Sequence, residues 1–288
     1  MGMGSMDLKR VFAERYAEDP EFREKVEGFR REIFTPGLKF PLAYLAAKTL
    51  EIAGMMGIEK PVRGGGDRIG KEEFSFKLKR RLDGIDLSKY KALSLGKVEK
   101  YVPTVLQPRE DVEKGNGLTG VYVWGVEGGL VSEELHGCLL IELTLVWAGE
   151  SDPVYGVYND VWRLVAWGRT EDIETLHLVV CEERIVGTYY PVALRLEEYG
   201  VWRLLDASFS EESGWEVTQH REKTEEVEEL KLYVNTWNHA LSFSDLVPDM
   251  EKVEYRPGAN VELKIGRRLE AEKEHSLLKY DDERLLRR

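Results

Sequence analysis

The chain has 288 residues, of which 42% are hydrophobic and 33% charged, and its formal net charge is −12. A chain of this length can bury a large core, so we expect a globular protein of one or two domains. Two cysteines are too few for a disulfide framework, which favours a reducing, cytoplasmic setting. No apolar run approaches the roughly 20 residues that cross a bilayer, so we expect no membrane contact. Residues 1–5 (MGMGS) are typical of an expression leader, and we expect no signal peptide because the N-terminus lacks an apolar h-region.

Charge is abundant and unevenly distributed. Gln107 and Gln219 are the only glutamines, and this composition is typical of a thermophile and is archaeal-like. Residues 1–110 hold 22 Lys/Arg and 17 Asp/Glu, whereas residues 111–288 hold 19 and 36. The acidic C-terminal part would repel phosphates, so a nucleic-acid site is expected only in residues 1–110.

The N-terminal region is predicted to be mainly helical. Apolar residues at three- and four-residue steps predict one or two helices over residues 7–34, with a break at Asp19-Pro20, and another over residues 42–56. Residues 61–70 form a glycine-rich stretch in which Gly65 to Lys71 match the spacing of a phosphate loop, but Glu72 stands where Ser or Thr would bind magnesium. A flexible connection is therefore the simpler interpretation.

Residues 74–82 (FSFKLKRRL) alternate apolar and basic side chains. This pattern is typical of an edge strand with outward lysines. It is also typical of a basic, aromatic surface for single-stranded nucleic acid. The cations of that surface would be Arg63, Arg68, Lys71, Lys77, Lys79 and Arg80.

Strands dominate from residue 118 onwards. Two-residue alternation predicts them over residues 118–126, 136–147, 161–167, 173–181, 185–196, 201–209 and 261–265. Short connections make consecutive strands antiparallel neighbours. An apolar stripe predicts one long helix over residues 224–241.

The predicted fold is therefore α+β: a mainly antiparallel, meander-rich sheet packed against N-terminal helices and one long C-terminal helix. We divide the chain into a helical, mildly basic region (6–110), a sheet with its helix (111–266) and a charged tail (267–288), which we expect to be a solvated helix or disordered.

The second face of the longest predicted strand carries His136 and Cys138, and the next strand carries His177 and Cys181. These four side chains could converge on zinc if the strands are neighbours. Their spacing is not a zinc motif, however, and buried cysteine usually behaves as a small hydrophobe. We therefore predict a packed or partly covered face, with no metal and no cofactor.

Residues 235–249 are dense in groups that transfer protons. His239 with Asp245 or Asp206 would be a minimal general-base pair, which suggests a hydrolase or transferase. The alternative is that His239 merely ends a helix, where the dipole favours a cation.

The run from Tyr190 to Ser208 resembles the His-strand and Asp-strand of transglutaminase-like cysteine hydrolases. Trp202 and Asp206 would match the second strand of that family. The family's histidine position falls near Tyr190, and neither cysteine begins a helix upstream. The resemblance therefore implies the strands and lacks two of the three groups of a thiolate mechanism.

The leading prediction is a non-catalytic protein that binds a protein or small-molecule partner on the second sheet face, because exposed aromatic and arginine side chains are typical interface anchors. The residues that would line this face are Arg163, Trp167, His177, Tyr189 and Arg195. The hydrolase or transferase and the nucleic-acid protein remain open alternatives, as does the oligomeric state.

Overall fold

The computed structural model describes residues 5–33, 40–58, 73–74, 90–130, 135–151, 156–193, 217–222, 230–235, 237–245 and 247–278. Its helices are α1 (Ser5–Glu18), α2 (Pro20–Ile33), α3 (Leu42–Met55), α4 (Leu95–Val98), α5 (Arg109–Asp111), α6 (Val157–Trp167) and α7 (Arg268–His275). The strands of the first half are β1 (Phe40–Pro41), β2 (Glu73–Phe74), β3 (Thr104–Pro108), β4 (Leu118–Glu127), β5 (Cys138–Trp147) and β6 (Asp172–Cys181). The later strands are β7 (Arg184–Ala193), β8 (Val217–Glu222), β9 (Lys231–Val234), β10 (Leu241–Ser242), β11 (Lys252–Tyr255) and β12 (Glu262–Ile265).

The helices predicted for the N-terminal region are confirmed, including the break between α1 and α2. Asp19 caps α2, since its Oδ1 accepts the backbone N–H groups of Glu21 at 3.0 Å and Phe22 at 3.1 Å. Pro20 then occupies the first helical position, where its missing N–H costs nothing.

Helix α6 replaces a predicted strand over residues 161–167, and that prediction was wrong. Val161, Leu164 and Val165 are fully buried at helical spacing and pack with α1, α2 and α3 in one apolar cluster. Gly168 ends the helix in the left-handed conformation (φ 69°), and its N–H donates to the Leu164 carbonyl at 2.9 Å. The apolar cluster of the N-terminal helices thus includes α6.

Six strands form the larger sheet, in the order β12-β4-β5-β6-β7-β8. The neighbours from β4 to β8 are antiparallel and consecutive in the chain, which confirms the predicted α+β fold with a mainly antiparallel, meander-rich sheet. Strand β12 adds to the edge of β4 in parallel, pairing Leu263 with Val121.

A second sheet of four strands, in the order β10-β9-β3-β11, includes the region where a long C-terminal helix was predicted. That prediction was wrong: residues 231–234 form β9, parallel to β3, and residues 241–242 form β10. Leu232 and Val234 are both fully buried, as a strand with one face on a core requires. The chain then turns sharply at His239, which has φ 55°. Residues 223–229 lie outside the described part of the chain.

The main core lies between the two sheets. Ile141, Leu143 and Trp147 of the larger sheet pack with Leu232 and Val234 of the smaller one. The odd-numbered residues of β5 therefore face the interior, and the even-numbered ones face outwards, as the alternation predicted.

The outward face of the larger sheet is covered in part by α7. Ala271 of α7 is fully buried against Tyr122, Val146 and Ile173, and Glu272 is 3% exposed. The segment predicted as a charged tail therefore contains a short, docked helix. Residues 279–288 lie outside the described range.

The predicted boundary near residue 110 stays a prediction. Strand β3 precedes it and pairs with β9 and β11, and α6 follows it and packs with the N-terminal helices. Within the described residues, no helix is long and apolar enough to cross a membrane.

Candidate functional site

His239, the predicted catalytic histidine, lies in the core between the two sheets. Its side chain is fully buried, and its ring stacks on Trp147 with centroids 4.4 Å apart and planes 9° from parallel. Nδ1 lies 2.7 Å from Asp172 Oδ2, and Nε2 lies 3.0 Å from Asp111 Oδ2. Because both ring nitrogens face carboxylates, the geometry favours the doubly protonated imidazolium, which donates to both.

Neighbouring polar groups fix the orientation of Asp111. Gln107 Nε2 donates to Asp111 Oδ2 at 2.5 Å, and Asn116 Nδ2 donates to Oδ1 at 2.7 Å. Gln107 Oε1 in turn accepts the backbone N–H of Leu118 at 3.2 Å. The carboxylate is therefore satisfied on both oxygens, as a buried charge requires.

Asp172 connects His239 to a second cation. Arg163 Nη2 donates to Asp172 Oδ1 at 2.6 Å and also contacts Glu150 Oε2. The side chains of Arg163, Asp172 and Glu150 are 10%, 5% and 9% exposed. We call Asp111, His239, Asp172, Arg163 and Glu150 the buried charge network. It alternates anion and cation from one end to the other.

The network shifts the pKa values of its members. Burial disfavours the imidazolium of His239, but its hydrogen bonds to Asp111 and Asp172 outweigh burial and raise its pKa to about 9. Burial also disfavours the Asp172 carboxylate, yet the charge of Arg163 and the bond to His239 hold its pKa well below the usual range. A histidine protonated at neutral pH has no lone pair for general-base catalysis.

Of the three residues predicted for catalysis, the structure describes His239 and Asp245, and these two are not paired. Asp245 pairs with Lys252, with Oδ2 2.8 Å from Nζ, and not with His239. Asp206, like Trp202, lies outside the described residues. The actual partners of His239 were missed because Asp172 and Asp111 are 67 and 128 residues away, and no local spacing reveals them.

The residues predicted to line one ligand face do not share a face: two of them lie on α6 and two on strands β6 and β7. Arg163 belongs to the buried charge network, and Trp167 packs in the helical cluster, because both lie on α6 rather than on a strand. His177 lies on the outward face of β6, opposite Tyr189 in the β6/β7 register. Arg195 lies outside the described residues.

Charged side chains around His177 on the outward face pair with one another. Glu142 accepts the backbone N–H of Arg268 at 2.9 Å and a guanidinium N–H of Arg267 at 3.2 Å, and its Oε2 lies 3.4 Å from His177 Nε2. Burial opposes the charge on Glu142, but His177 and Arg267 lower its pKa to about 2. Part of the predicted binding face is therefore occupied by the chain's own α7 segment.

Cys138 and Cys181 are joined by a disulfide, with their Cα atoms 4.2 Å apart on neighbouring strands. The sequence allowed these side chains to converge only if their strands were neighbours, and it did not predict the bond between them. Among the described residues, no group of three or more His, Cys, Asp or Glu side chains is arranged to hold a metal ion, and His136 is exposed.

A surface cleft of about 220 Å³ lies between α2 and α3. Phe29 and Ile52, which are 3% and 2% exposed, form its apolar floor. The charged residues along its rim are Glu21, Glu24, Lys25, Glu32, Lys48 and Glu51. No pattern in the sequence predicted this cleft, because it depends on how two helices cross.

The predicted nucleic-acid surface stays a prediction, since Arg63, Arg68, Lys71, Lys77, Lys79 and Arg80 all lie outside the described residues. Comparisons with known proteins add no functional information. No family model, no curated protein and no solved structure matches this chain.

Proposed function

We propose that this protein is a non-catalytic binding protein whose cleft between α2 and α3 takes a basic peptide segment that carries one apolar side chain. The observation that carries the proposal is the cleft itself, which combines an apolar floor with an acidic rim. Ligand sites are typically concave and largely apolar, with a few polar groups that set specificity.

The size of the cleft fits one side chain better than a whole metabolite. Its volume of about 220 Å³ is below the several hundred Å³ typical of small-molecule pockets. Gly28 lies along the cleft, and a Cβ at this position would meet no atom within 4 Å. The space above Gly28 is therefore open, and an incoming aliphatic side chain could reach Phe29 and Ile52.

The charge of the rim favours a cationic partner. Glu51 lies between two lysines: Lys25 Nζ contacts its Oε1, and Lys48 Nζ lies 3.8 Å from its Oε2. Four carboxylates face only two ammonium groups in total, so the rim carries a surplus of negative charge. Complementary charge at a rim contributes specificity and association rate more than affinity.

The non-catalytic part of the proposal is supported by the sealing of His239. Both of its nitrogens are occupied, its ring is stacked, and none of its side chain is exposed. A general base must reach the proton that it abstracts. The groups of the buried charge network pair with one another, and their side chains are at most 10% exposed.

The test uses a fluorescent peptide with one leucine flanked by lysines and arginines, and a matched peptide in which glutamates replace the basic residues. Fluorescence polarisation should show salt-sensitive binding of the basic peptide to the full chain and no binding of the acidic one. Gly28→Leu should abolish binding, because a Cβ fits at this position without a close contact and the rest of the leucine side chain would occupy the space above Gly28.

The matched control is Glu14→Lys, which reverses a charge on α1 where the side chain is 55% exposed and outside the cleft. It should bind like the wild type, whereas Glu24→Lys should bind more weakly. Equal binding by the wild type and Gly28→Leu, or no binding of the basic peptide, would contradict the proposal.

A further inference from the structure

The disulfide between Cys138 and Cys181 lies at one end of the β5/β6 pair. The two residues are direct partners in the strand register, and the ladder continues from them to Trp147 and Asp172. Beyond Cys181 the chain turns at Glu182 and Glu183, which have φ values of 51° and 63°. The bond thus closes the end of the strand pair that lies next to this turn.

Both cysteines are half-buried, so solvent reaches this end of the sheet. Their side chains border an outward apolar cluster formed by Trp124, Leu140 and Val179. An accessible disulfide is open to attack by an external thiolate, whereas one enclosed in a core is not.

The strand pairing is not dependent on the bond. Strands β5 and β6 pair at ten consecutive positions, and β4 and β7 flank them on either side. Leu143, Leu176 and Leu178 of the same strands are fully buried in the main core. If the bond opens, the ladder therefore keeps the two sulfurs close together, in a position to form the bond again.

Re-formation has only one outcome. Cys138 and Cys181 are the only cysteines among the 288 residues, so no wrong pair can form within the chain. A reversible two-state thiol pair needs accessibility, a fixed geometry in both states and no competing partner, and this end of the sheet provides all three.

We infer that the Cys138–Cys181 pair is a thiol–disulfide exchange site that a dithiol reductant opens in the folded protein. A thiolate of the dithiol attacks one of the two sulfurs and forms a mixed disulfide, and the S–S bond between the cysteines breaks. The released cysteine leaves as a thiolate and takes a proton. The second thiol of the reductant then displaces the other cysteine, so that the reductant is oxidised to its disulfide and the protein gains two electrons and two protons.

Reduction of the disulfide affects the side chains that pack against the outward apolar cluster. Leu135 and Tyr90 pack against the same cluster as the two cysteines, and the Leu93 N–H donates to the Gly125 carbonyl at 2.8 Å. Without the bond, the end of β5 and the residues before it are held by fewer links. The reduced protein keeps its fold and loosens at residues 135–140 and 179–186.

The test starts from the oxidised full chain, treated with dithiothreitol in the absence of denaturant and then with N-ethylmaleimide. Intact mass should change from no label to two labels per chain, while the far-UV circular dichroism stays constant. Oxidised dithiothreitol added to the reduced chain before N-ethylmaleimide should re-form the bond, so that the chain again takes no label. Hydrogen exchange of the reduced protein should be faster at residues 135–140 and 179–186, and unchanged at residues 141–147.

The double variant Cys138→Ala/Cys181→Ala is the matched control. It should exchange hydrogen at both segments as fast as the reduced wild type, and dithiothreitol should not alter it. Labelling that requires denaturant, loss of secondary structure on reduction, or identical hydrogen exchange in the two redox states would each overturn the inference.

Discussion

The buried charge network and the α2–α3 cleft both combine carboxylates with cationic side chains, but the two regions differ in access to water. The side chains of His239 and Asp172 are 0% and 5% exposed, whereas those of Lys25 and Glu51 are 41% and 40% exposed. Removing one partner of a buried pair leaves an uncompensated charge in a medium of low polarity. An exposed partner is rehydrated by solvent and loses little. Charge therefore supports the structure between the sheets and remains available for a partner at the cleft.

Asp172→Asn should produce the largest effect, because it removes the anion that bridges His239 and Arg163 without changing the size of the side chain. We expect a loss of about 3–5 kcal/mol in the free energy of unfolding, the usual cost of breaking a buried ion pair. Chemical denaturation monitored by circular dichroism measures it. Asp245→Asn is the matched control, since Asp245 is 27% exposed, and it should cost about 1 kcal/mol or less. Equal losses would contradict the comparison.

The pH dependence of the free energy of unfolding should reveal the raised pKa of His239. Its pKa rises from 6.5 to about 9 on folding, so its contribution is fully present below pH 6.5 and is lost as the pH rises through about 9. The loss should be on the order of 3 kcal/mol. Denaturation midpoints measured from pH 6 to 10 would show the decline, and His239→Gln should remove that slope. A wild-type curve that is flat over this range would show that folding does not raise the pKa of His239.

Glu142→Gln tests the outward face of the larger sheet. In its access to water this face is intermediate between the buried charge network and the cleft, because Arg267 remains 28% exposed there. We expect a loss of about 1–3 kcal/mol, the cost of an unsatisfied buried group. The pKa of Glu142 is lowered from 4.5 to about 2, so the wild-type contribution is lost as the pH falls below 4.5. Glu274→Gln, at a side chain of α7 that is 48% exposed, should cost less. A larger effect of Glu274→Gln would reverse this ranking.

Glu24→Gln at the cleft should change the free energy of unfolding by no more than about 0.5 kcal/mol, as at most surface positions. It should nevertheless weaken binding of the basic peptide, because one rim carboxylate is lost. Thermal unfolding and fluorescence polarisation on the same variant measure the two effects. A large stability loss with unchanged binding would show that the rim has a structural role.

Local patterns in the sequence were sufficient for several elements. The break between α1 and α2 follows from Asp19 and Pro20, whose capping and φ restriction act within one turn. Strands β5 and β6 follow from a period of two sustained over ten residues. These predictions succeeded because the cause lies within a few residues of the effect.

The errors arose where the apolar residues of one segment fitted both the helical period and the strand period. Residues 161–167 were assigned to a strand, although Val161, Leu164 and Val165 also share one helical face. Residues 231–234 were assigned to a helix, although Leu232 and Val234 alternate as in a strand. In each case the surface available for packing decided: the N-terminal helices accepted α6, and β3 accepted β9.

By itself, the sequence determined the α+β class, the break between the first two helices, and which residues of β5 and β6 share a face. It also singled out His239 as a candidate functional residue. Only the tertiary structure decided that His239 is sealed between Asp111 and Asp172, that Cys138 and Cys181 are bonded, and that a cleft lies between α2 and α3. The physical reason is distance along the chain. Periodicity and capping act over a few residues, whereas a buried carboxylate–imidazolium pair is selected by the desolvation cost of leaving either charge alone, wherever its partner lies in the sequence.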